Sequence, residues 1–309
     1  SDIKVGGGKL VDGKWTLQAG TAQAYTFSAK LEKPLMSRPY VAKEENWGEQ
    51  PVVRNKNKAG KKEMELPPGY SFENWEAPKD IYGRDQLFEP TGIAVAKDGT
   101  VVVATRTAGI WRIRNDKWTK FAEGTYECLG VWIEDDKGDQ FVVMQKPELT
   151  RMKDSNGDGR GDSFETVCDD YGFHGNYHEY AHGPVRDKEG NYYFSLNLSH
   201  GGSERTSWRA GGPFMGSMGG YRGWACRVTP EGKFEPFANG LRSPAGIGVD
   251  PEGRIWYAEN QGEYVGSSKV VPLEKGKFYG HLSGLLTLEG KMKPDSAELK
   301  FDNWKDKIR

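Results

Sequence analysis

One pattern recurs four times along this chain and constrains its fold more than any other feature. The segments are Gly92-IAVAKDGTVVVA, Gly130-VWIEDDKGDQFVVM, Gly183-PVRDKEGNYYFS and Gly246-IGVDPEGRIWYA. Each holds a glycine, a short strand, an acidic turn containing Gly, and a second strand, which is the signal of a β-hairpin. In three units a further strand follows, GIWRIR, ELTRMK and WACRVT, and SSKVVPL is a weaker candidate in the fourth. Three or four antiparallel strands per unit, repeated every few tens of residues, describe propeller blades. A sandwich would not need the same hairpin four times. The second strands, VVVA, FVVM, NYYFS and RIWYA, have the β-branched and aromatic content of sheets buried on both faces by neighbouring blades. The expected fold class is therefore all-β, a β-propeller.

The 309 residues include 41 Gly, 10 Trp, 14 Tyr and 13 Phe, a mixture that suits short strands and tight turns better than long helices. Net charge is −1 with both signs interspersed, which gives no ground for a nucleic-acid partner. No apolar run approaches membrane-spanning length, so no membrane insertion is expected. Cys128, Cys168 and Cys226 form no C-x-x-C pair, hence no zinc or c-type haem signature, and one disulfide with one free thiol stays open. The chain opens at Ser1 with no signal segment. That fits a processed periplasmic or extracellular protein, and an arbitrary starting point equally well.

Residues 1–62 read as a small β-rich extension ending in a solvated linker, RNKNKAGKK, and residues 63–309 as the propeller. Four blades leave the ring unfinished. LPPGYSFENW looks like an outer strand awaiting a partner from the C-terminal end. About two further blades are expected, from a C-terminal segment or a second chain.

Asp154, Asn156, Asp158, Asp162 and Glu165 stand at positions 1, 3, 5, 9 and 12 of an EF-hand-type loop with Gly159 at position 6. A calcium ion wants six or more oxygens, and Arg160 would add its backbone carbonyl. Pro147 and ELTRMK before the loop and SFETVC after it are not helical, so the loop bridges strands and its role is structural. A plain Asp/Asn/Gly turn is the alternative.

Four histidines, His174, His178, His182 and His200, lie close together in the sequence. His178-Glu179-Tyr180-Ala181-His182 matches the zinc-protease pattern H-E-x-x-H, which works only on a helix. Gly175-Asn176 before it and Gly183-Pro184 after it leave no room for one, so these residues are placed at the rim where an inner strand begins. A histidine there can act as a general base, or it can serve as a hydrogen-bonded group between blades. The Gly-rich stretch 198–223 interrupts the third unit, either as a loop folded over the propeller mouth or as a free excursion.

GLRSPAGIGVDPEGRIWYAENQG followed by LEKGKFYGH resembles the quinoprotein sugar dehydrogenases and their aldose and sorbosone dehydrogenase relatives. Within these it is most similar to the planctomycete and verrucomicrobial propellers classed as membrane-bound dehydrogenases. The resemblance implies a six-bladed propeller with pyrroloquinoline quinone and calcium at the channel mouth, a small sugar or aldehyde as substrate, and a c-type cytochrome as electron acceptor. It implies Arg242 as the cofactor-carboxylate arginine, with Ser243 beside it where the family commonly has Asn. It implies His178 as general base, with Tyr177 in place of an acidic neighbour, and backbone carbonyls of Gly262 and Glu263 as ligands of the active-site calcium. Two other functions remain open: a non-catalytic propeller subunit of an electron-transfer or envelope complex, and a gluconolactonase-type metal-dependent hydrolase using residues such as Glu259 and Asn260.

Overall fold

The structure is a computed structural model that describes residues 9–11, 14–16, 47–59, 62–63, 65–173, 177–200, 215–216, 220–260 and 266–281. The chain divides into two compact units, Ser1–Asn46 and Trp47–Arg309. Within the first, Lys9–Val11 and Lys14–Thr16 form a hairpin.

The second unit is all-β and carries four propeller blades. The first has Pro90–Val95, Val101–Thr105, Ile110–Arg114 and Lys117–Ala122 in meander order, with Gln50–Pro51 added outside as a fifth strand. The second has Val131–Ile133, Gln140–Met144, Leu149–Lys153 and Ser163–Cys168. The third has Ala181–Arg186, Tyr192–Leu196, Trp224–Val228 and Phe234–Asn239. The fourth has Pro244–Val249, Ile255–Glu259 and Lys269–Pro272. The four repeated hairpins are thus the first two strands of each blade. Three of their turns share one device: Gly99, Gly190 and Gly253 take φ near +90° and donate N–H to the carbonyls of Ala96, Asp187 and Asp250, a closure open to Gly and strained for other residues.

The glycines that open the first two units have a different reason. A Cβ on Gly92 would lie 2.6 Å from the Cα of Gly130, and one on Gly130 would lie 1.9 Å from the carbonyl oxygen of Gly183. Three inner strands therefore approach the axis backbone to backbone. Outside that contact the blades pack through side chains. Val102 and Ala104 meet Phe141 and Val143, while Val142 and Met144 meet Phe194 and Leu196. Tyr193 and Ala225 meet Ile255 and Tyr257. Burying a side chain of this size contributes roughly 2–3 kcal/mol.

Burial also marks where the packing stops. Tyr192–Leu196, in the third blade, is buried at every position, whereas Ile255–Glu259 in the fourth alternates, since among the described residues only one of its faces meets another blade. In the first blade Ile93 and Val95 are 65% and 66% exposed. They border a cavity of about 900 Å³ with Phe88, Val101, Val103 and Trp75.

The segment ahead of the first blade departs from expectation. Glu73–Trp75, in LPPGYSFENW, pairs with Arg54–Lys56, and the C-terminal residues that would offer the expected partner lie outside the described residues. Trp47, Val52 and Phe88 pack on Trp111 and Trp118 of the first blade. The expected Asp/Asn/Gly loop joins the third and fourth strands of the second blade, as the strand-like flanks imply. His182 stands in the strand Ala181–Arg186, so the H-E-x-x-H pattern is not helical. The three cysteines are buried and unlinked. No helix of the described residues is long and apolar enough to cross a membrane.

Candidate functional site at the propeller mouth

The second strands end at Thr105, Met144, Leu196 and Glu259, and the residues just beyond them come to one end of the propeller. They meet the segments that lead into the inner strands of the following blades. Arg106 and Lys146 both bind Glu127: Arg106 Nη2 lies 2.8 Å from one carboxylate oxygen and Lys146 Nζ 2.5 Å from the other. Burial pulls the Glu127 carboxyl up, but hydrogen bonds from Lys146 and Arg106 outweigh it and hold it below the usual range. The same bond to Glu127 pushes the Arg106 guanidinium up. Lys146 Nζ also donates to the Tyr177 carbonyl at 3.1 Å.

From there the rim continues through backbone bonds. Asn197 N–H donates to the Tyr180 carbonyl at 2.9 Å, and Leu198 N–H donates to the Arg242 carbonyl at 2.9 Å. The N–H groups of Arg242 and Ser243 donate to the two oxygens of Glu259 at 2.9 and 2.7 Å. Asn260 N–H closes the run on the Ser243 carbonyl at 3.3 Å. Arg106, His178 and Arg242, from three different inter-strand connections, and Glu259, at the end of a strand, thus belong to one hydrogen-bonded arc.

Of the residues expected from sequence, His178 and Arg242 lie on this arc. The His178 ring stands edge-on to Tyr177 at 4.8 Å between centroids, and Arg242 is 6% exposed. Gly262, Glu263 and His174 lie outside the described residues, as do the side chain of His200 and most of the Gly-rich stretch. His182 lines a cavity of about 390 Å³ between the inner strands, with Gly92, Gly130, Gly183 and Gly246. Burial lowers its imidazole to about 4, so it is neutral at pH 7. Glu259 is a buried carboxyl raised by desolvation against two backbone donors. With an N–H on each oxygen it acts as an anchor for the Arg242–Ser243 turn. That speaks against Glu259 as a hydrolase metal ligand.

Arg222 is fully buried behind the arc. It donates to the carbonyls of Glu179 and Gly172 at 3.2 and 2.8 Å and so ties down the segment that carries His178.

Sequence reasoning missed Arg106, Glu127, Lys146 and Arg222. A signal for two of them was present: aligning the repeats on their second strands puts Arg106 and Gln145, the residue before Lys146, just past the strand end in register with Asn197 and Asn260.

In the Asp-rich loop, Asp154 accepts N–H from Gly157 and Gly159 at 2.7 and 2.9 Å, and Asn156 and Asp158 accept from residues two further on. Asp162 accepts from Ser155, whose bonds hold its carboxyl low. Arg112, buried against the loop, donates to the Gly159 carbonyl at 2.7 Å and faces Asp154 at 3.7 Å. Glu165 lies in the strand Ser163–Cys168 and pairs with Arg151 at 2.8 Å. Among the described residues no group of three or more His, Cys, Asp or Glu side chains is gathered to hold a metal ion. As donors to calcium, Asp154, Asn156, Asp158, Asp162 and the Arg160 carbonyl share one turn and suit a hard cation. Glu165 would have to leave Arg151 to join them.

No protein-family model matches the chain, and no curated protein matches it. Solved structures do. The PQQ-bound form of an aldose sugar dehydrogenase from Streptomyces coelicolor is 19% identical, with a TM-score of 0.50 over 63% of each chain. The holo form of the PQQ domain of a pyranose dehydrogenase from Coprinopsis cinerea is 14% identical, with a TM-score of 0.47 over 72% of this chain and 64% of that one. The apo-form of the soluble aldose sugar dehydrogenase from Escherichia coli is 14% identical, with a TM-score of 0.46 over 63% of each chain. At 19% identity the likeness to the Streptomyces structure shows the fold. The chain spans less than two thirds of the length of each of these proteins.

Proposed function

We propose that this chain forms four blades of a quinone-dependent sugar or aldehyde dehydrogenase, with the reaction at the Arg106–Asn260 arc. The observation that carries the reading is that the segments bearing His178 and Arg242, which lead into different blades, are joined by the backbone of Asn197 and Leu198 on one mouth. The fold shared with the PQQ-bound Streptomyces enzyme supports it.

The donor set suits a polycarboxylate quinone. Arg242 offers a planar fork for a carboxylate, fixed in direction because its turn is bolted to Glu259. Arg106 and Lys146 add positive charge at the same mouth. When bound, the quinone supplies the hydride acceptor. His178 takes the proton from the C1 hydroxyl of the substrate, with Tyr177 and Tyr180 fixing its ring environment. Arg222 holds the backbone of that segment, so the base does not have to be ordered during turnover.

Calcium belongs to the same proposal in two places: at the Gly262–Glu263 carbonyls beside the cofactor, and in the Asp154–Glu165 loop as a structural ion. The exposed faces of the first and fourth blades support further blades, on a C-terminal segment or a second chain. A c-type cytochrome would accept the electrons, in a periplasmic or extracellular setting.

The test is dye reduction by the protein with its further blades present, given pyrroloquinoline quinone, calcium and an aldose. Turnover is expected, and His178→Ala should cut it far more than it cuts quinone binding, because a base acts in the transition state. Quinone binding without turnover of any aldose or aldehyde would leave the non-catalytic subunit as the better reading.

A further inference from the structure

Tyr177 is an exposed aromatic residue in the middle of the arc, and its setting differs from that of an ordinary surface tyrosine. It keeps 58% of its surface open to solvent. Yet the ring is held by three neighbours: the Arg106 guanidinium lies 5.4 Å from its centroid, the His178 ring 4.8 Å and the Tyr180 ring 5.9 Å. Its carbonyl is fixed by Lys146, itself locked on Glu127. The conformational entropy of ordering the ring is therefore already spent in the folded protein, so a ligand that lands on it loses little for immobilising it.

We propose that Tyr177 is the platform of a sugar-binding subsite, on which a pyranose ring lies with its C–H face against the phenol and its C1 hydroxyl toward His178. The chemistry follows from what surrounds the ring. A pyranose has an apolar face of axial C–H groups and a rim of hydroxyls. An aromatic face with a polar fringe of Arg106 and His178 matches both parts. A simple aliphatic aldehyde has no such face and gains little from the ring. The subsite therefore selects aldoses over aldehydes. It also gives a physical use to Tyr177 at a position where the resemblance leads one to expect an acid. As the position of the substrate, this inference rests on the dehydrogenase reading; as a binding site, it is tested apart from it.

The experiment is saturation-transfer NMR of the full chain with methyl β-D-glucopyranoside, whose C1 oxygen is blocked against oxidation, in the absence of quinone. Transfer concentrated on the C–H protons of one ring face is expected. Tyr177→Ala should weaken binding about tenfold, and Tyr177→Phe and Tyr177→Trp should retain it, with thermal melting confirming that each variant is folded. No transfer to the wild-type chain, or equal binding by Tyr177→Ala, overturns the proposal. So does loss in Tyr177→Phe equal to that in Tyr177→Ala, because the hydroxyl and not the ring would then be responsible. A separate quinone titration keeps the two ideas distinct. Glycoside binding without quinone binding removes the dehydrogenase and leaves the subsite. Quinone binding without transfer to the glycoside removes the subsite alone.

Discussion

Gly130 and Gly183 meet backbone to backbone at the propeller axis: a Cβ placed on Gly130 would sit 1.9 Å from the carbonyl oxygen of Gly183. Gly130→Ala is expected to force the second and third blades apart. Its melting temperature should fall by about 10 °C or more, since relief requires moving two strands rather than one side chain. Gly246→Ala is the control. Its Cβ would have only the Ala258 Cβ as neighbour, at 3.7 Å, and it should melt within about 3 °C of the parent. Equal losses in the two variants would mean that the axis contact is not what the repeated glycine serves.

His182 gives the fold a defined acid sensitivity. Burial disfavours the charged form and lowers its imidazole in the folded protein to about 4, against about 6.5 for a free histidine. The unfolded chain therefore binds the extra proton first as pH falls. The associated stability is fully present above pH 6.5 and is lost progressively between 6.5 and about 4, to a total on the order of 3 kcal/mol. Urea titrations at pH 7, 5.5 and 4.5 should follow this course, and His182→Gln should flatten it.

Removing the Glu259 carboxyl leaves the N–H groups of Arg242 and Ser243 without their acceptors. Glu259→Ala should cost about 2–4 kcal/mol in chemical denaturation, and Glu259→Gln, which keeps one carbonyl oxygen, distinctly less. If Glu259→Ala proves as stable as the parent, the anchoring role is wrong and the metal-ligand role for Glu259 returns.

The Asp154–Glu165 loop gives a simple measurement with calcium. Millimolar calcium should raise the melting temperature of the parent, and Asp158→Asn should weaken the effect. Because Arg151 competes for Glu165, Arg151→Met should tighten calcium binding in a calorimetric titration. An unchanged melting temperature with calcium would favour the plain turn, held by Arg112 instead of an ion.

The four hairpins were legible because the same glycine, strand, acidic turn and strand recur in each, although their spacing is irregular. The outer strands were harder. Ser163–Cys168 is exposed over its first four residues, and an edge strand of that kind has no alternation to read. The stretch from Trp47 to Trp75 was taken for linker and an unpaired strand because of its lysines, yet Gln50–Pro51 extends the first blade and Arg54–Lys56 pairs with Glu73–Trp75. At the mouth, Arg242 and His178 were found from the resemblance. Arg106, Lys146 and Glu127 were not, since a charged residue at the end of a strand looks like any solvated turn until the blades are laid over one another. Lys146 is 2% exposed, and no local pattern in VVMQKPE announces that.

The central claim is that the arc from Arg106 to Asn260 holds an anionic quinone through Arg242, and the most direct test is an equilibrium titration of pyrroloquinoline quinone with the protein carrying its further blades, in calcium. The account predicts saturable one-site binding. It predicts that Arg242→Met, which keeps the length of the side chain and removes its fork, weakens it about a hundredfold or more, consistent with the loss of a buried charge-assisted pair. Tyr177→Ala should leave it within about twofold. Saturable binding that is indifferent to Arg242→Met, or no binding at all, would contradict it.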